Sequence, residues 1–165
     1  MIARHQEQVT RLYEDARDDV YRYLLTLGLP PPQAQEAAQE VFLRLYMALQ
    51  RGEQIQNSRG WVFRVAHNLG LDLRAKQQPL PLEPELELAL PDRARSAEGD
   101  LIERERMEQI SSAWKTLSPQ QRQCLHLRAE GLRYREIAGT LGISISSVRE
   151  FLSRAILKLR KAVHD

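Results

Sequence analysis

The stretch YREIAGTLGISISSVREFLSRA, Tyr134 to Ala155, decides the fold of the C-terminal part of the chain. Ala138 stands where a small side chain lets two helices cross closely, and Gly142, four residues on, suits the left-handed backbone of a tight turn. Val148 then supplies the apolar contact that returns the second helix onto the first, with Ile137, Leu141, Ile143 and Leu152 completing a small core. The spacing predicts a helix over 134–141, a turn at Gly142 and a long helix from about Ser144 to Val163, which together make a helix-turn-helix.

In such a motif the N-terminal part of the second helix enters the major groove of DNA. Helical spacing puts Val148, Leu152, Ala155, Ile156 and Leu159 on the inward face, leaving Ser146, Ser147, Arg149, Glu150, Ser153 and Arg154 outside or flanking it. Arg149 and Arg154 can reach guanine edges or phosphates. Glu150 has two readings at this stage: it accepts from a cytosine amino group, or it pairs with Arg154 one turn on. Ser144 is the expected N-cap, with Ser147 and Glu150 as an alternative capping box one register later. Lys158, Arg160 and Lys161 are expected to meet phosphates or solvent.

Upstream, helical periodicity dominates. Val9, Leu12, Tyr13, Ala16, Val20, Tyr23, Leu24 and Leu27 share one face, and Gly28 with Pro30-Pro31-Pro32 ends that helix. Ala34, Ala38, Val41, Phe42, Leu45 and Leu49 form a second pattern, and Val62, Val65, Ala66, Leu69 and Leu73 a third. After residue 100, Met107, Ile110, Trp114 and Leu117 repeat with helical spacing. Ser118-Pro119 with Gln121 then reads as a capping box opening the next helix. About seven helices in two groups are expected, an all-α fold with domains at 1–76 and 101–165. Between them, residues 77–100 hold four prolines, with 2 Lys+Arg against 6 Asp+Glu, which is the composition of a flexible acidic linker. The flanking parts are more basic: 10 against 9 in residues 1–76, and 12 against 7 in residues 101–165. A basic C-terminal part points to a polyanionic partner.

Other classes find little support. Four scattered histidines, one cysteine and no glycine-rich phosphate loop leave no catalytic set, so no enzyme, cofactor or metal site is expected. His67 has no second ligand at helical spacing. The lone Cys124 excludes an intramolecular disulfide and reads as a buried structural thiol. No apolar run reaches membrane-spanning length and the N-terminus lacks a signal-peptide core, so no membrane insertion and a cytoplasmic location are expected.

The run LSPQQRQCLHLRAEGLRYREIAGTLGISISSVREFLSRAILKLRKA closely resembles the DNA-binding C-terminal domain of bacterial sigma-70-family factors, which recognises the promoter −35 element. LYEDARDDVYRYLL resembles region 2.1 of the same family, AQEAAQEVFLRLYMAL region 2.2, and NSRGWVFRVAHNLGLDLRAK regions 2.3 and 2.4. Two such domains with a short linker are similar to the extracytoplasmic-function (ECF) group.

The resemblance implies that Gln39, Glu40, Leu43, Arg44 and Met47 face the clamp coiled coil of the polymerase largest subunit. It implies a second polymerase contact at the flap, and an anti-sigma factor as partner. Glu40 and Arg44 can equally form a surface pair at i, i+4. By the same resemblance, Asn57, Ser58 and Arg59 are expected in the loop that captures a flipped base of the −10 element. Trp61, Arg64, His67, Asn68 and Arg74 fall on the helix that opens it, beside Phe63 and Leu71. Trp61 can instead close the core of the three-helix unit.

The chain departs from the family where DAEDLVQE becomes Gln33-Ala34-Gln35-Glu36-Ala37-Ala38-Gln39-Glu40, which removes an expected cap and some packing. Many ECF relatives also carry a small hydroxyl and an arginine at the positions of Glu150 and Phe151. The competing function is a stand-alone helix-turn-helix regulator whose residues 1–76 dimerise or sense a signal; such regulators bind symmetric half-sites.

Overall fold

The computed structural model describes residues 2–77 and 101–164. Among them the fold is all-α, with seven helices. These are α1 (Ile2–Thr26), α2 (Pro31–Gln50), α3 (Ser58–Ala75), α4 (Leu101–Thr116), α5 (Pro119–Ala129), α6 (Tyr134–Leu141) and α7 (Ile145–His164). They form two compact units, α1–α3 and α4–α7. The expected linker lies outside the described residues except for Gln77.

In the first unit each helix packs on the other two. Ala16, Val20, Tyr23 and Leu24 of α1, with Leu27 just beyond it, meet Ala34, Val41, Phe42 and Leu45 of α2 in a core that excludes water. Each large apolar side chain buried there contributes about 1.5–3 kcal/mol. The rings of Tyr13 and Phe42 sit edge to face at 5.1 Å. The triple proline both stops one helix and starts the next. Pro30 takes the extended N-cap position without a side-chain bond, and prolines follow at the first helical positions, where no amide donor is missed. Gln33 is therefore already inside α2, so its replacement of an acid removes no cap. Ala37 and Ala38 are buried, and the small side chains still pack.

The inward arc of α3 differs from the expected one. Gly60, Val62, Phe63, Ala66, His67 and Gly70 are buried, whereas Val65 and Leu69 are half-buried. Gly70 explains the offset. A Cβ there would lie 2.7 Å from Leu27 Cδ1 and 3.0 Å from Leu24 Cδ2, so there is no room for a side chain where α3 passes these leucines.

In the second unit α7 packs against α4, α5 and α6. Trp114, Leu117 and Ala155 form a buried cluster with Leu125 against it. The capping box that opens α5 forms as expected: Ser118 N–H donates to Gln121 Oε1 at 3.0 Å, and Gln121 N–H to Ser118 Oγ at 3.1 Å. Cys124 is fully buried, and burial pushes its thiol up to about 11, so it stays protonated and inert. No described helix is long and apolar enough to cross a membrane.

Candidate nucleic-acid interface

The helix-turn-helix assembles from local signals. Glu136 Oε1 accepts from the Arg133 N–H at 3.0 Å and opens α6. Gly142 closes it in the left-handed conformation, φ 68° and ψ 34°, with Ile143 N–H reaching back to Ala138 O at 3.1 Å. Ser144 then caps α7, its Oγ accepting from Ser147 N–H at 3.1 Å and donating to Ser147 Oγ at 2.9 Å. The alternative box of Ser147 and Glu150 is not used, since α7 already begins at Ile145. Ile137, Val148, Leu152 and Ala155 are buried, with Ala138 at the crossing.

This core leaves Ser146, Arg149, Glu150, Ser153 and Arg154 exposed, with Ser147 half-buried. Of the two readings of Glu150, the pair with Arg154 is formed. Glu150 Oε1 accepts from Arg154 Nη2 at 2.7 Å across one turn, with side chains 61% and 65% exposed respectively. Phe151 is half-buried on the flank. One expectation for α7 is corrected. Ile156 is 41% exposed rather than inward, because Ala155 already occupies the contact with Trp114 and Leu117. The ammonium of Lys158, an exposed residue, lies 3.4 Å from Thr116 O and 3.3 Å from Gln121 Oε1, beside the end of α4. Leu157, outside the expected inward set, is 55% exposed; nine residues on from Val148, it points about 180° away from the core at 3.6 residues per turn.

In the first unit Arg64 and Asn68 are exposed, Leu71 is 42% exposed and Trp61 is half-buried. Two expected members of this surface lie inside. Phe63 is fully buried, edge-on to Tyr23 at 5.9 Å. His67 is also buried, its Nδ1 sharing a 2.8 Å hydrogen bond with the Tyr23 hydroxyl, and burial holds its imidazole below the ordinary value. Arg74 Nη1 donates to Leu27 O at 2.9 Å, closing the end of α1. Arg59 Nη2 donates to Asp19 Oδ2 at 2.9 Å, with its guanidinium 5.8 Å from the centre of the Phe63 ring. Asn57 caps α3, its Oδ1 accepting from Gly60 N–H at 3.1 Å, and Ser58 Oγ accepts from Gln8 Nε2 at 3.3 Å. Expected nucleic-acid contacts at Arg59, Arg74 and Asn57 thus already hold helix ends and ion pairs.

On α2, Gln39, Glu40, Leu43, Arg44 and Met47 all lie on the exposed side. Leu43 is 52% and Met47 45% exposed, and on the same side of α2 Glu40 Oε1 accepts from Arg44 Nε at 3.1 Å. A surface carrying two bare apolar side chains around an ion pair is suited to a protein partner. Among the described residues no group of three or more His, Cys, Asp or Glu is placed to hold a metal.

Residues 12–79 match the family described as Sigma-70 region 2, and residues 107–159 match Sigma-70, region 4. The chain belongs to the sigma-70 family. Its relatives include the ECF RNA polymerase sigma factor SigE of Mycolicibacterium smegmatis, 30% identical over 146 residues, covering 87% of this chain and 56% of SigE. ECF sigma factor BldN of Streptomyces coelicolor is 28% identical over 161 residues, covering 94% of this chain and 60% of BldN. ECF sigma factor SigM of Bacillus subtilis is 25% identical, covering 92% of this chain and 93% of SigM. The chain thus spans little more than half the length of the first two. These relatives put it in the ECF group.

Among solved structures, CnrH in complex with the cytosolic domain of CnrY superposes with a TM-score of 0.60 at 20% identity, covering 99% of this chain and 94% of CnrH. The sigma factor RpoE in complex with the anti-sigma factor NepR, from Bartonella quintana, gives 0.64 at 17% identity, covering 96% and 98%. At these identities the likeness is one of fold.

Proposed function

We propose that this ECF-group chain binds the RNA polymerase core, recognises −10 and −35 promoter elements and initiates transcription, without catalysing a reaction itself. Residues 1–76 act on polymerase and the −10 element, residues 101–165 act on the −35 element, and residues 77–100 connect them. The observation that carries this reading is the order of the two matched regions, region 2 on α1–α3 and region 4 on α4–α7. A regulator that only bound DNA would need the second and not the first.

The exposed face of α2 around Leu43 and Met47 meets the polymerase clamp helices, and the second unit meets the flap. Arg64, Asn68, Leu71 and Trp61 are the groups of α3 left available to single-stranded DNA, which is bound by cations along its backbone and flat surfaces against its bases. Arg149, Glu150, Ser146, Ser153 and Arg154 face the −35 duplex. CnrH and RpoE are each held by another protein, and for RpoE that protein is an anti-sigma factor. An anti-sigma partner is proposed for this chain on that basis.

Transcription with purified core polymerase tests the function. Promoter-dependent transcripts that require the added chain are expected. If none appear and the chain alone protects a palindromic site as a dimer, the stand-alone regulator is the correct assignment.

A further inference from the structure

Resting on the proposed role of α7 at a −35 element, we infer that the Glu150–Arg154 ion pair is a single reading unit that selects a C·G base pair. At 3.6 residues per turn, the direction opposite the buried line Val148, Leu152 and Ala155 is occupied in the first turns by Ser146, Glu150 and Ser153, with Arg154 beside them. Arg149 lies about 100° from Val148, on the flank that meets the phosphate backbone.

The outward groups differ in what they can discriminate. The serine hydroxyls of Ser146 and Ser153 donate or accept as required, so they tolerate any base edge. Glu150 only accepts and Arg154 only donates. In the major groove the base donors are the amino groups of cytosine and adenine. The adenine amino group adjoins N7, whose lone pair would face a carboxylate oxygen; cytosine has no acceptor there. A carboxylate therefore favours cytosine. The acceptors O6 and N7 of the paired or adjoining guanine suit the guanidinium fork of Arg154.

The pairing also answers why an acid stands at the centre of a DNA-facing surface. A bare carboxylate would be repelled by both phosphate rows. With Arg154 Nη2 2.7 Å from its Oε1, the unit approaches with no net charge. It contributes base preference, while the flanking cations supply general affinity.

The test uses the full chain assembled with core polymerase and a promoter library randomised over the upstream element, with enriched sequences read out. The wild type should enrich C·G at one position about tenfold or more. Glu150→Gln is near-isosteric at an exposed site; it should abolish that preference or move it to A·T, since glutamine reads adenine, and leave the other positions unchanged. The same substitution frees Arg154 and should tighten binding to unrelated sequence, whereas Arg154→Ala leaves an unneutralised acid and should weaken binding to every sequence. Two results overturn the inference: base preferences in the upstream element of which none for C·G responds to Glu150→Gln, or changes in general affinity of the same sign for the two variants. A wild type with no base preference anywhere upstream would instead remove the −35 role itself.

Discussion

Two glycines three residues apart give a controlled test of the turn that orients α7. Gly139 lies inside α6, and Gly142 follows it with φ at +68°. A Cβ added at either position would meet nothing within 4 Å. Alanine therefore brings no clash at either site and lowers the entropy of the unfolded chain equally at both, by about 0.4–1 kcal/mol. That shared contribution cancels in the comparison. What remains is the left-handed backbone at Gly142, which costs a residue bearing Cβ about 1–2 kcal/mol. Gly139→Ala should stabilise the unit slightly and Gly142→Ala should destabilise it. Urea unfolding of the full chain in a Trp61→Phe background leaves buried Trp114 as the sole tryptophan reporter of this unit. With a slope near ~1 kcal/mol per M for so small a unit, the two midpoints should separate by roughly 1–2 M. Midpoints that coincide, or that move the same way by equal amounts, would refute the backbone origin of the turn.

Three further outcomes are expected. His67 carries a lowered folded pKa from burial, so its contribution is whole above its unfolded value of about 6.5 and is lost as pH falls from there toward the folded value. The α1–α3 unit should lose up to about 1.4 kcal/mol per pH unit in that window, and His67→Gln should flatten the slope in denaturant titrations followed by Trp61 fluorescence in a Trp114→Phe background. Ser118→Ala removes the acceptor for Gln121 N–H and should cost about 1 kcal/mol in urea unfolding followed by Trp114. Replacing exposed Leu43 and Met47 by serine should change thermal stability by less than about 0.5 kcal/mol each while weakening binding to core polymerase at least ~10-fold, as measured by fluorescence anisotropy.

The helix-turn-helix was legible because its signals are local. Gly142 answers to Ala138 and Ser144 to Ser147, within five residues of chain. The box at Ser118 and Gln121 is of the same kind. Such contacts depend on neighbours that the sequence places side by side, whatever the rest of the chain does. The outward face of α7 follows from the same periodicity once its core line is known.

What the sequence by itself determined was therefore the number and order of the helices, the caps at Ser118 and Ser144, the tight turn and the family to which they belong. Tertiary structure alone decided which polar groups remain available on them. His67 lies 44 residues from Tyr23, Arg74 47 from Leu27, Lys158 42 from Thr116 and Arg59 40 from Asp19. In each case a cation or imidazole expected at a nucleic-acid surface makes a hydrogen bond to a group far away in sequence, and of the four His67 is the one that this contact buries. Gly70 adds the complementary effect: a residue without a side chain carries no hydrophobic signal, yet its close contact with Leu24 and Leu27 sets the rotation of α3 and draws Phe63 and His67 inward. Helical period reveals an inward arc only where apolar side chains mark it, and long-range hydrogen bonds have no period at all.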